Sequence, residues 1–197
     1  MRKSILLTLA CLLAWASAAS AVTITVSGNF TADDDIVFYT YHVNNLGLVT
    51  VSTTSFATGG FSPILSLFDS TGAFQFDNQG YPTNSDATLT WNSIGGEDYI
   101  IALTEYFNFS IGPNLSDGFT QQGTGNFTGP ANGGTGPFLL PGPEQRTSAW
   151  SIEFSSADPT LTVTPEPSTG LFGAGGCLAL WVAARKRKRT IGKRQSN

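Results

Sequence analysis

The groups able to do chemistry are unevenly spread along this sequence. Residues 22–167 hold all fourteen acidic side chains, yet only one histidine, His42, one arginine, Arg146, and no lysine or cysteine. A serine nucleophile would need His42 as its base. That histidine ends the run Val37-Phe38-Tyr39-Thr40-Tyr41-His42, whose alternation reads as a strand in which the imidazole is packed or at the surface. One histidine without cysteine does not furnish a usual zinc site, and no cofactor fingerprint is present. Glycoside cleavage needs only two carboxylates, so a small glycosidase-like hydrolase using a carboxylate pair is the alternative reading. The scarcity of His, Lys, Arg and Cys favours a protein that binds without catalysing.

Two kinds of binding group remain. Hard oxygens cluster in turns at Asp33, Asp34, Asp35, Asp69, Asp77, Asn78, Asp86 and Asp98, a donor set suited to calcium. Asp33 and Asp35 form the best local pair, because alternate residues of one turn can converge on an ion. Asp and Asn also favour turns for their own sake, and no EF-hand spacing occurs, so these residues fit either a calcium site, the one cofactor they suggest, or ordinary turns. Tyr81, Tyr106 and Phe107 lie in turn-rich surroundings and would stack on sugar rings if exposed, or pack as loop aromatics if not.

The elements that must position these residues read as β throughout. Short runs rich in Val, Ile, Phe, Tyr and Thr, at 22–26, 36–43, 48–52, 64–68, 73–76, 87–91, 99–104, 149–154 and 161–163, are separated by Gly, Asn, Asp and Pro. Trp150, Ile152 and Phe154 alternate with Ser151 and Glu153, the pattern of a sheet with one face in water. The stretch 36–43 is apolar or aromatic on both faces and is expected to be covered on both. An all-β antiparallel sandwich over 22–163 follows, with Phe38, Leu65, Leu67, Leu89, Trp91, Ile101 and Trp150 in its core. Residues 111–148 contain nine glycines and five prolines and are expected to be a long, partly disordered loop.

The two ends read as targeting devices. Arg2 and Lys3, an apolar run over 5–15 and Ala19-Ser20-Ala21 form a signal peptide at 1–21. At the other end Pro165, Glu166 and Pro167 precede an apolar run at 170–184, with Leu171, Phe172, Leu178, Leu180, Trp181 and Val182. A basic stop of Arg185, Lys186, Arg187, Lys188 and Arg189 follows, then a tail at 190–197. Fifteen helical residues cover only about 22 Å of a roughly 30 Å hydrocarbon core. Snorkelling by Arg185 would extend the span. The basic cluster is expected to stay in the cytoplasm and the rest to be exported as one short membrane-anchored chain. Nine of the ten basic residues lie in these ends, so residues 22–167 carry fourteen acids against Arg146, a formal charge of −13. Such a domain is not expected to bind nucleic acid. With no cysteine there, it cannot rely on a disulfide.

Together Pro-Glu-Pro, the short apolar run and the Arg-rich end resemble the PEP-CTERM sorting signal of Gram-negative bacteria, over 164–189. That resemblance implies an exosortase-type processing enzyme as partner, an inner-membrane intermediate with its domain in the periplasm, and final release to the cell surface or beyond, with exopolysaccharide as a further partner. From Gly28 to Thr104 the order Asp34-Asp35, Val37-Phe38-Tyr39, Val49-Thr50-Val51, Leu65-Ser66-Leu67-Phe68-Asp69 and Gly95-Gly96-Glu97-Asp98-Tyr99 is similar to the bacterial pre-peptidase C-terminal domains. This second resemblance implies a jelly-roll-like module that contacts carbohydrate or protein and sometimes calcium.

Overall fold

The computed structural model describes residues 21–83, 85–142 and 144–166. Outside them lie residues 1–20 of the stretch read as a signal peptide, Pro167, the apolar run with Leu171, Phe172, Leu178, Leu180, Trp181 and Val182, the basic cluster at 185–189 read as a stop, and residues 190–197. Among the described residues no helix is long and apolar enough to cross a membrane.

The described chain is an antiparallel β-sandwich. One sheet has four strands, β1 (Val22–Asn29), β3 (Gly47–Thr53), β6 (Thr88–Ser93) and β10 (Ala149–Ser156), in the order β1-β10-β3-β6. Facing it is a sheet of five: β2 (Val37–Val43), β4 (Pro63–Asp69), β5 (Phe74–Gln79), β7 (Glu97–Glu105) and β11 (Thr162–Pro165), in the order β11-β2-β7-β4-β5. A small ribbon, β8 (Leu139–Leu140) with β9 (Glu144–Gln145), and a one-turn helix α1 (Thr128–Ala131) lie between β7 and β10.

Period-two patterning explains why these segments pair as they do. In β10 Trp150, Ile152 and Phe154 are buried while Ser151, Glu153 and Ser155 face outward. Tyr41, Val49, Val51, Leu65, Ile101, Leu103, Ile152 and Phe154, contributed by both sheets, are fully buried between them. Truncating one such side chain, Ile152 for instance, costs about 2–5 kcal/mol through lost burial and the cavity left behind. The other side of the five-stranded sheet is covered too. There Ile36, Phe38, Phe68 and Ala102 pack with Phe119 from the segment after β7. Phe38 is therefore buried as expected, but in this second cluster. Trp91 differs from expectation: it is only half-buried at the core margin, edge-on to Tyr41 and Tyr99, with centroids 5.6 Å away in each case.

The outer face of the four-stranded sheet is a carpet of hydroxyls. Thr23, Ser155, Thr50 and Thr90 form one row across all four strands, and Thr25, Glu153, Ser52 and Thr88 the next. Hydroxyl contacts stitch neighbouring strands at Thr50–Thr90 (3.4 Å) and Ser52–Thr88 (3.1 Å).

The Gly/Pro-rich segment 111–148 is not an irregular flap. It carries a 3-10 turn at Leu115–Asp117, α1, β8 and β9, and it buries Phe119, Phe138, Leu139 and Leu140. Phe138 stacks on Phe61, which stacks on Phe30, with centroids 5.7 and 4.8 Å apart. Its glycines serve turns while its scattered apolar residues supply the packing.

Candidate aromatic binding platform

Tyr81 and Tyr106 are 25 positions apart in the chain, yet the fold sets them side by side. The Gly80 N–H donates to the Pro63 carbonyl (2.9 Å), and Pro63 lies opposite Glu105 in the β4–β7 ladder. The residues that follow Gly80 and Glu105 are thus delivered to one place. Ring centroids are 4.5 Å apart for Tyr81–Tyr106, 4.3 Å for Tyr106–Phe107 and 5.7 Å for Tyr106–Phe109. All four side chains are half-exposed. Gly80 is required by close approach, since a Cβ there would lie 1.9 Å from the Ser85 carbonyl oxygen.

A scaffold of hydrogen bonds holds the platform. Tyr106 N–H donates to the Ser62 carbonyl at 2.9 Å. Phe107 has φ of +80°, a conformation costly for a residue with a large side chain. Thr120 holds it there: its hydroxyl donates to the Phe107 carbonyl (2.6 Å) and accepts from the Phe109 N–H (2.9 Å). Beneath, the fully buried Asn108 accepts from the Gln121 N–H (2.9 Å), and its own carbonyl accepts from the Thr104 hydroxyl (2.8 Å). Burial, with the neighbouring Tyr81 phenol, raises the Tyr106 hydroxyl above its ordinary value. Tyr106 therefore stays neutral, able both to donate and to accept hydrogen bonds at the rim of an apolar surface.

The three aromatic residues picked out from the sequence are thus brought together, and Phe109 joins them. Its signal was present in the alternation Tyr106-Phe107-Asn108-Phe109, which the turn at Asn108 folds back.

The calcium pair is arranged differently. Asp33 is fully buried, and its carboxylate accepts the Thr128 N–H (2.8 Å), the Thr128 hydroxyl (2.5 Å) and the Phe138 N–H (2.8 Å). Asp35 accepts from the Thr31 N–H and hydroxyl and from the Ala32 N–H. Each carboxylate closes a loop, and an ion using Asp33 would have to displace three protein donors. No group of three or more His, Cys, Asp or Glu arranged for a metal occurs among the described residues.

Catalytic geometry is also weak. Glu105 and Asp33 are electrostatically coupled, but they are 1% and 0% exposed, so no substrate reaches them. His42 places Nδ1 2.6 Å from an Asp98 carboxylate oxygen and Nε2 3.2 Å from the Asn44 side-chain oxygen. Both neighbours accept, which favours imidazolium and leaves neither nitrogen free to deprotonate a serine.

Pro165 and Glu166 lie at a sheet edge. Pro165 pairs with Tyr39, Glu166 N–H donates to the Phe38 carbonyl (2.9 Å), and the Thr40 hydroxyl donates to the Glu166 carboxylate. Pro165 is tolerated because an edge strand has no outer neighbour to receive its missing N–H. The sheet thus continues beyond residue 163 to Pro165, with Glu166 hydrogen-bonded to its edge. Neither a protein-family model nor a curated protein matches this chain.

Proposed function

We propose that the chain is an exported, non-catalytic cell-surface or extracellular-matrix protein that contacts exopolysaccharide through the platform of Tyr81, Tyr106, Phe107 and Phe109. The observation that carries this reading is their convergence. Four half-exposed aromatics, three from one hydrogen-bonded turn and Tyr81 from the neighbouring segment, form the kind of apolar surface that a domain keeps for binding. Sugar rings offer apolar C–H faces to stack there, while the Tyr81 and Tyr106 hydroxyls meet ring hydroxyls. A formal charge of −13 across residues 22–167 disfavours uronate-rich chains and favours neutral or amino-bearing ones. Apart from the β4–β5 hairpin, consecutive strands of the sandwich fall in opposite sheets, which supports a jelly-roll-like reading.

Delivery to the surface rests on the ends of the sequence. A signal peptide at 1–21 opens the export route, and the order Pro165-Glu166-Pro167, apolar run, basic stop hands the chain to an exosortase-type enzyme from the inner membrane.

Affinity electrophoresis of the purified chain through gels containing neutral exopolysaccharide tests the binding. Tyr106→Ala weakens retardation at least about tenfold, equivalent to roughly 1.4 kcal/mol, while Thr90→Ala, on the hydroxyl face, does not change it. Equal retardation of wild type and Tyr106→Ala, with both folded by circular dichroism, removes the platform from the binding. Release of reducing ends from the polysaccharide would replace this reading with a hydrolase.

A further inference from the structure

Sandwich proteins guard the edges of their sheets, because an unpaired row of N–H and C=O groups is a template for another strand. Three of the four outer edges of the two main sheets are guarded. At β6 the Thr88 N–H is taken by the Asn78 side chain of β5 (2.9 Å). β5 is met by the segment after β7, through Phe74 N–H to the Pro113 carbonyl (2.8 Å) and a bridge between Ala73 and Asn114. β11 has only four residues and ends in Pro165.

The fourth edge, β1, has none of these devices. It is eight residues long, Val-Thr-Ile-Thr-Val-Ser-Gly-Asn, with no charge, no proline and an unbroken register to β10. Among the described residues its only strand partner is β10. Its inward side chains Val22, Ile24 and Val26 pack against the core yet are only half-buried, since among the described residues no further strand lies beyond β1.

We infer that β1 is a strand-addition surface for a second copy of this chain, paired antiparallel about a two-fold axis at Thr25. Register follows from the period of two. With Thr25 opposite Thr25, Ile24 meets Val26, Thr23 meets Ser27 and Val22 meets Gly28. Apolar residues then face apolar ones on the core side, hydroxyls face hydroxyls outside, and the two four-stranded sheets join into one of eight. A shift by one residue would put Ile24 against Thr25 and send the apolar set to the wrong face.

Charge decides why this edge admits a copy of so acidic a protein. The one charged residue on the hydroxyl face beside β1 is Glu153, on β10 opposite Thr25. In the dimer the two Glu153 side chains are three strand spacings apart, about 14 Å. That exceeds the Debye length of about 8 Å at physiological ionic strength, so their repulsion is largely screened. The isologous contact also closes on itself and leaves no free β1 edge for fibre growth.

Sedimentation equilibrium of the purified chain, with and without substitution, tests the dimer. Wild type moves to twice the monomer mass as concentration rises, and more readily in physiological salt than at low salt. Thr25→Lys places two lysines opposite each other and gives monomer at every concentration, with unchanged circular dichroism because Thr25 is exposed. In a Cys11→Ser, Cys177→Ser background, Thr25→Cys oxidises to a covalent dimer, whereas Thr23→Cys does not, its counterpart being about 13 Å away along the strand. Wild type that stays monomeric, or dimer that survives Thr25→Lys, overturns the proposal. Equal cross-linking by the two cysteine variants overturns the register and with it the interface. A monomer whose β1 is occupied by a co-purified peptide, seen by mass spectrometry, assigns the edge to another partner and equally rejects self-pairing.

Discussion

Glu105 and Asp158 are both inside the protein, at 1% and 4% exposure, and the fold drives them in opposite directions. Asp158 receives five hydrogen bonds, from the Asn44 and Asn45 N–H groups (2.9 and 2.8 Å), the Asn45 side-chain amide (3.1 Å), and the Thr160 N–H and hydroxyl (2.9 and 2.6 Å). The Thr160 hydroxyl, then the Thr160 N–H and the Asn45 donors, hold its carboxyl well below the usual carboxylate range. Glu105 has an Oε2 with no hydrogen-bond partner, and the Ser62 hydroxyl is likewise buried without one. Burial, then the charge of Asp33, raises it well above the ordinary value, and Arg146 and the Ser62 N–H offset only part of that. Burial does not settle the fate of an acid; the number of donors aimed at it does. Asp158 is an anion that ties the β2–β3 turn to the approach of β11. Glu105, at the end of β7 and one residue before the platform, is an acid whose ionisation burial opposes.

The largest effect expected from breaking this contrast comes from Asp158→Ala. Five donors lose their acceptor at once, among them the two Asn N–H groups of the β2–β3 turn. The melting temperature at pH 7 falls by about 10 °C or more, read by calorimetry. Asp158→Asn falls less, and its pH dependence carries the sign. A group held below its unfolded value contributes stability above that value, about pH 3.9, and loses it as pH falls toward the folded value. Wild type and Asp158→Asn therefore converge in acid.

Glu105→Gln gives a smaller change with the opposite sign. A carboxyl raised by folding contributes its stability fully below the unfolded value, near pH 4.3, and loses it as pH rises through the folded one. An amide of the same shape has no proton to lose. The variant melts several degrees higher than wild type at pH 8 and no higher at pH 4. A variant equally shifted at both values would show that packing, rather than ionisation, sets the difference.

How much of this was legible in the sequence depends on how local the cause is. β10 was readable because Trp150, Ile152 and Phe154 alternate with polar residues, and the period alone fixes which face is buried. Both faces of β2 read as covered for the same reason, and Phe119 supplies the second cover. The platform was half legible: Tyr81, Tyr106 and Phe107 stand out as aromatics in turns, but their meeting depends on the Gly80–Pro63 bond and the β4–β7 register, which join distant positions. Segment 111–148 misled because glycine and proline composition reports backbone preference and says nothing of anchors. Its anchor is Asp33, about a hundred residues earlier, bound to Thr128 and Phe138. Glu105 was equally opaque, since a glutamate closing a strand reads as a polar end.

His42 and Asp98 provide the smallest and sharpest test, because they are a charged pair that water reaches, with side chains 32% and 54% exposed. The Asp98 bond first, then the Asn44 side chain, raises the His42 imidazolium above its ordinary value. Stability from this pair is therefore fully present below about pH 6.5 and is lost as pH rises through the raised value. An exposed pair of this kind contributes below about 1 kcal/mol and is screened by salt. His42→Gln keeps a donor for Asp98 but removes the charge, so it melts slightly below wild type at pH 5.5 and together with it at pH 8.5. In 1 M sodium chloride the difference at pH 5.5 shrinks, because the Debye length falls to about 3 Å, whereas the Glu105→Gln difference at pH 8 persists because no solvent ion reaches a carboxyl that is 1% exposed. If salt diminished both differences alike, solvent screening rather than the supply of donors would govern Glu105, and the contrast with Asp158 would fail.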